Sequence, residues 1–120
     1  MNTCRITVLI SGKGSNLQAL IDARDRGDLQ VEIIHVISNR AAAFGLERAR
    51  QAGIPSSVLA HAAYPEREEY DRRLAELIAG VGAWADPDLV VLAGFMRILG
   101  PAVLRRIAGK MINLHPSLLP

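Results

Sequence analysis

A single cysteine, Cys4, in 120 residues excludes an internal disulfide and leaves no thiol pair for a metal cluster. No metal is expected, and such sparing cysteine use fits a reducing, cytoplasmic compartment. Long apolar runs are missing as well. The stretch Ile6 to Ile10 is far too short for a membrane span or a secretion signal. Blocks of one charge sign are also absent: Arg and Glu are interspersed and the net charge is only +2. Neither nucleic acid nor a membrane surface is therefore an expected partner. A small anionic ligand is compatible with this balance. No internal repeat, linker or low-complexity segment divides the chain.

What is present suits one packed domain at most. Half of the residues are hydrophobic and 22% are charged, a composition that favours a core over disorder. A chain of this length buries roughly two thirds of its unfolded surface.

Arg5 to Ile10 is a β-rich apolar run that predicts a buried strand. It breaks at Ser11-Gly12-Lys13-Gly14-Ser15-Asn16, after which Leu17, Leu20 and Ile21 recur at helical spacing. Gly27-Asp28 closes that helix. Val31 to Ser38 predicts a second strand, Ala43 to Ala52 a helix stopped by Gly53 and Pro55, and Ser56 to Leu59 a short third strand. Pro65 is expected to open the next helix, with Tyr70, Leu74, Leu77 and Ile78 as its buried stripe. Gly80 to Ala85 reads as a loop in which Trp84 covers the core. Asp88 to Gly94 is apolar enough to be a strand covered on both faces. A short helix, Pro101 to Ala108, leads to Met111-Ile112-Asn113-Leu114-His115, read as a short buried strand that Pro116 ends. His35, inside an apolar strand, reads as packed or hydrogen-bonded, and His61 has no neighbouring ligand types.

Strands alternating with helices imply an α/β chain: a Rossmann-like, mostly parallel sheet with helices on both faces. If the first three strands wind 3-2-1 and the fourth returns beside the first, the loops after strands one, four and five share a crevice. Those three loops carry the unusual chemistry: an anion loop, an apolar shelf after the fourth strand and an Asn/His pair would then line one cleft. Strand, glycine loop and helix is an order in which free backbone N–H groups meet an anion, and Ser15 or Asn16 adds side-chain donors or a cap. The spacing matches neither the Walker A loop nor the dinucleotide fingerprint. A plain strand-to-helix turn accounts for the glycines, though not for the two polar residues after them. Asn113 and His115 are two apart, so on a strand they project to one side. An amide donor beside an imidazole that titrates near neutrality suits a reaction in which an oxyanion develops while a proton moves. The plainer reading is a polar strand end capped by a turn.

Four stretches resemble the glycinamide ribonucleotide transformylase family, the phosphoribosylglycinamide formyltransferases of purine synthesis. They are Ser11-Gly-Lys-Gly-Ser-Asn-Leu-Gln-Ala-Leu20, Ala42-Ala-Phe-Gly-Leu-Glu-Arg-Ala-Arg-Gln-Ala-Gly53, Val91-Leu-Ala-Gly-Phe-Met-Arg-Ile-Leu99 and Asn113-Leu-His-Pro-Ser-Leu-Leu-Pro120. The resemblance runs through essentially all 120 residues in order. It implies that Gly14, Ser15 and Asn16 hold the ribose phosphate of the substrate. It assigns Arg67, Met96, Arg97, Ile98, Leu99 and Asn113 to the co-substrate, 10-formyltetrahydrofolate. It makes Asn113 and His115 catalytic, requires no metal and leaves room for a homodimer. Asn-x-His-Pro-Ser is shared with other folate-dependent formyltransferases and deformylases, and the glycine loop points to the glycinamide enzyme.

Two departures stand out. Gly80 to Trp84 looks like a small insertion. The family also continues well past the position of Pro120 and supplies a catalytic Asp that no residue here matches. Residues 1–120 are thus expected to be the N-terminal part of a single formyltransferase domain, with little activity alone. The competing readings are a formyltetrahydrofolate deformylase and a catalytically incomplete nucleotide-binding fragment. A nicotinamide-dependent oxidoreductase lacks its fingerprint here.

Overall fold

A computed structural model describes residues 3–80, 86–97 and 99–114. Its strands are β1 (Cys4–Ile10), β2 (Val31–Ser38), β3 (Ser56–Val58), β4 (Leu89–Ala93) and β5 (Met111–Leu114). They form one parallel sheet in the order β3-β2-β1-β4-β5. The helices are α1 (Ser15–Asp25), α2 (Gly45–Gln51), α3 (Arg67–Ala79) and α4 (Pro101–Arg106), with a 3-10 turn at His61–Ala63. The expected Rossmann-like α/β architecture is the one observed. No helix among the described residues is long and apolar enough to cross a membrane.

Two apolar layers sandwich the sheet. On one face Ile6, Val8 and Ile10 of β1 meet Leu17 and Ile21 of α1 and Ala49 of α2. On the other, Leu9 and Val90 meet Tyr70, Leu74 and Ile78 of α3, with Val103 and Ile107 in and after α4. Strict alternation along β1 sends neighbouring residues to opposite layers. Strand β2 departs from it. Its register against β1 slips between Ile6 and Thr7, so that Ile6 pairs with Ile33 but Thr7 with His35. Ile34 is the extra residue of a bulge. The slip is why Ile33 and Val36, three apart, both enter the first layer while Ile37 enters the second.

Three expectations change. Helix α3 begins at Arg67, two residues beyond Pro65, because Glu66 is extended (φ −95, ψ 127) and serves as the N-cap; Glu68 and Glu69 occupy the first turn. Its stripe contains Tyr70, Leu74 and Ile78 but also Asp71, while Leu77 is half-buried. Strand β5 is not buried: Met111 and Ile112 are 42% and 45% exposed. Among the described residues β5 pairs with β4 alone, so it forms an edge. Its apolar run records a surface suited to burial, which these residues do not cover. Strand β4, between β1 and β5, is mostly buried as expected. The 81–85 stretch, with Trp84, lies outside the described residues.

His35 is 1% exposed and its Nε2 lies 2.7 Å from Ser57 Oγ on β3, as a packed histidine should. Burial pushes its pKa down from 6.5 to about 4. The folded state therefore refuses a proton that the unfolded chain accepts between these values. That contribution to stability is complete above pH 6.5 and is lost as pH falls towards 4. Its full size is roughly 3 kcal/mol. Urea unfolding at pH 7 and pH 4.5 should show wild type losing more stability on acidification than a His35→Gln variant. Equal losses would mean that His35 is not the group responsible.

Candidate active-site crevice

Strands β1 and β4 are adjacent and parallel, but their following helices pack on opposite faces. Their outgoing chains must diverge, which opens a crevice at the carboxyl ends of the strands. A hydrogen bond spans it: the Met96 N–H donates to Ser11 Oγ at 2.7 Å. Ser11 is buried, although Met96 is exposed, so the contact is part-buried. It joins the glycine loop after β1 to the loop after β4, as the strand order 3-2-1-4-5 anticipates.

The glycine loop is held from the α2 side. Gly14 sits in the left-handed region (φ 78) as the N-cap of α1. A Cβ there would lie 2.5 Å from Gly45 Cα, so the two backbones touch where no side chain fits. Gly45 N–H donates to Gly12 O at 3.0 Å and Arg48 Nε–H to Lys13 O at 2.7 Å. No side chain caps α1, and its first turn carries no acid. The leading N–H groups of such a helix lack intrahelical partners and attract negative charge. Ser15 is exposed beside them, whereas Asn16 is buried and lines a hollow of ≈ 440 Å³ with Leu20 and Leu114.

The loop after β4 has a different character. Phe95 and Leu99 pack against the second layer, while Met96 is 74% exposed. The Arg97 guanidinium lies over the Tyr70 ring, 4.4 Å from its centre. Burial raises the Tyr70 pKa to about 12, so its hydroxyl stays protonated and donates to Leu59 O at 2.7 Å. Beside it the buried Asp71 carboxylate accepts N–H bonds from Gly100 (2.8 Å), Ala102 (2.7 Å) and Val103 (3.4 Å). Sequence reading missed Asp71. Its signal was a carboxylate three residues from Leu74 and seven from Ile78, on the apolar stripe. Ser11 was read as part of the loop and not as the tie between loops.

Strand β5 extends the crevice. Asn113 pairs with Leu92 and Leu114 with Ala93, so β5 ends level with β4. Leu114 joins the first layer, which gives Asn113 the parity of the face that carries α3 and α4. Arg67, at the start of α3, lines a hollow of ≈ 440 Å³ together with Asp71, Gly100 and Ala102. The wider concavity of ≈ 620 Å³ between α3 and α4 contains none of the expected site residues. His115 and Ile98 lie outside the described residues. Among the described residues, no group of three or more His, Cys, Asp or Glu side chains could hold a metal ion.

The formyl transferase family model matches residues 4–120. The chain belongs to that family. This formyl transferase chain is 56% identical over 115 residues to the phosphoribosylglycinamide formyltransferase of Escherichia coli strain K12. The match covers 96% of this chain and 52% of that protein, so the chain spans about half its relative's length. The structure of the phosphoribosylglycinamide formyltransferase of Coxiella burnetii superposes with a TM-score of 0.88 at 50% identity, covering 99% of this chain and 54% of that one. A formyltetrahydrofolate deformylase structure from Pseudomonas putida superposes at 0.79 with 26% identity, covering 95% of this chain and 38% of that one.

The Gly14–Gly45 approach has a measurable consequence. Gly14→Ala combines a left-handed backbone with a 2.5 Å approach to Gly45 Cα, and should cost at least about 2 kcal/mol in denaturant unfolding. Gly12→Ala, whose Cβ would meet nothing within 4 Å, should stay within about 0.5 kcal/mol of wild type. Equal effects at both positions would contradict the packing described.

Proposed function

We propose that this chain is the N-terminal part of a single-domain phosphoribosylglycinamide formyltransferase, working in the cytoplasm on small-molecule substrates. The reaction would transfer a formyl group from 10-formyltetrahydrofolate to the amine of glycinamide ribonucleotide. The observation that carries the reading is the Ser11–Met96 hydrogen bond. It joins an uncapped helix start, suited to a phosphate, to an apolar loop suited to a flat heterocycle, along one crevice.

In this reading the α1 N-terminus, with Gly14, Ser15 and Asn16, holds the ribose phosphate. Arg67 and Met96 to Leu99 border the folate, with Asn113 beside them. The substrate amine attacks the formyl carbon, and the carbonyl electrons move onto oxygen. The Asn113 amide donates to that oxyanion, and His115 stabilises it. When the intermediate collapses, the bond from carbon to the folate nitrogen breaks, and that nitrogen takes up the proton the amine loses. His115 assists the transfer. An aspartate from the family's downstream segment would orient His115. No metal takes part.

In the complete natural polypeptide, Asn113→Ala and His115→Ala should each lower kcat roughly 10²–10⁴-fold in a steady-state formyl-transfer assay. Formate release without ribonucleotide, at the rate of formyl transfer, would instead favour the deformylase reading. Residues 1–120 alone should turn over little, because a histidine without its orienting carboxylate loses much of its assistance. Turnover equal to the complete chain would show that another group orients His115.

A further inference from the structure

Among the described residues, the segment between β4 and α4 has few apolar anchors. Phe95 and Leu99 are only half-buried, and Met96 projects into solvent. The bonds that fix its backbone are polar and come from elsewhere in the chain. At its start, Met96 N–H is tied to Ser11 Oγ. Midway, Arg97 lies over the ring of Tyr70. At its end, the Asp71 carboxylate gathers the N–H groups of Gly100, Ala102 and Val103.

A local cap could have satisfied those amides. The N-cap of α4 is Gly100, which has no side chain to do so. It has no room for one either, since a Cβ there would lie 2.6 Å from the Asp71 carboxyl carbon. The cap is therefore supplied from α3, 29 residues away from Gly100 in sequence. A cap borrowed from another helix does more than satisfy donors: it sets the separation of two elements. Arg67 lies one helical turn before Asp71 and lines the same hollow with it and Gly100.

We propose that Asp71 is a positioning residue for the formyl-donor pocket, fixing Gly100 and the start of α4 against the helix that carries Arg67. This rests on the assignment of Arg67 and Met96 to Leu99 to the folate made under Proposed function. Asp71 acts through the loop and not by touching the donor.

The test uses the complete natural polypeptide and calorimetric titration with two probes, a folate analogue lacking the transferable formyl group and glycinamide ribonucleotide. Asp71→Ala should weaken folate-analogue binding at least about tenfold and leave ribonucleotide binding within about threefold. Asp71→Asn keeps one carbonyl acceptor in the same volume and should fall between wild type and Asp71→Ala. It also serves if the alanine variant does not fold. Folate-analogue affinity within about twofold of wild type in the folded variants would overturn the proposal. Equal weakening of both ligands would overturn it too, since that marks a general loss of structure. If wild type itself bound no folate analogue, the functional reading would fail first and the proposal with it.

Discussion

The feature on which this structure depends is a reversal of winding between two neighbouring strands. From β1 through β2 to β3 the sheet grows in one direction, and from β1 through β4 to β5 in the other. Parallel neighbours with right-handed crossovers on both sides of the reversal must send their helices to opposite faces. The gap that results is geometric and would exist for any side chains. Here the sequence bridges it with a buried serine and a backbone amide, so the gap has a fixed width at that point.

The two walls of the crevice are stiffened differently, and the difference follows composition. On the glycine-loop side, Gly14 and Gly45 let two backbones meet, and van der Waals contact sets the spacing. On the other side, the spacing is set by charge. A buried carboxylate is costly unless its lone pairs are satisfied, and the amides at the start of α4 satisfy those of Asp71. Contact enforces a minimum separation, whereas charge-assisted hydrogen bonds enforce direction as well. Overpacking should disturb the first wall, and loss of charge the second.

Much of this was legible in the sequence. The bounds of β2 follow from its apolar run, and the placement of the glycine loop beside the β4 loop follows from the strand order. The bulge was hidden because Ile33 and Ile34 are both apolar, and inserting one isoleucine into such a run leaves hydropathy unchanged. Asp71 was hidden because charged neighbours on a helix usually signal a solvated face, and only its phase relative to Leu74 and Ile78 contradicts that. The exposure of β5 could not be read from Met111 and Ile112, because side-chain type states a preference for burial and not what supplies it. For the same reason the apolar pattern placed Asn113 on its strand but could not describe the edge it occupies.

The contact between Gly14 and Gly45 also bears on when ordering entropy is spent. A glycine-rich loop left to itself samples many conformations, and a ligand that selects one must repay that freedom out of its own affinity. Here folding has already removed most of it, since α2 presses against the loop and Arg48 grips the Lys13 carbonyl. The start of α1 is preorganised, so in the proposed reading a phosphate would meet amides whose directions are already set.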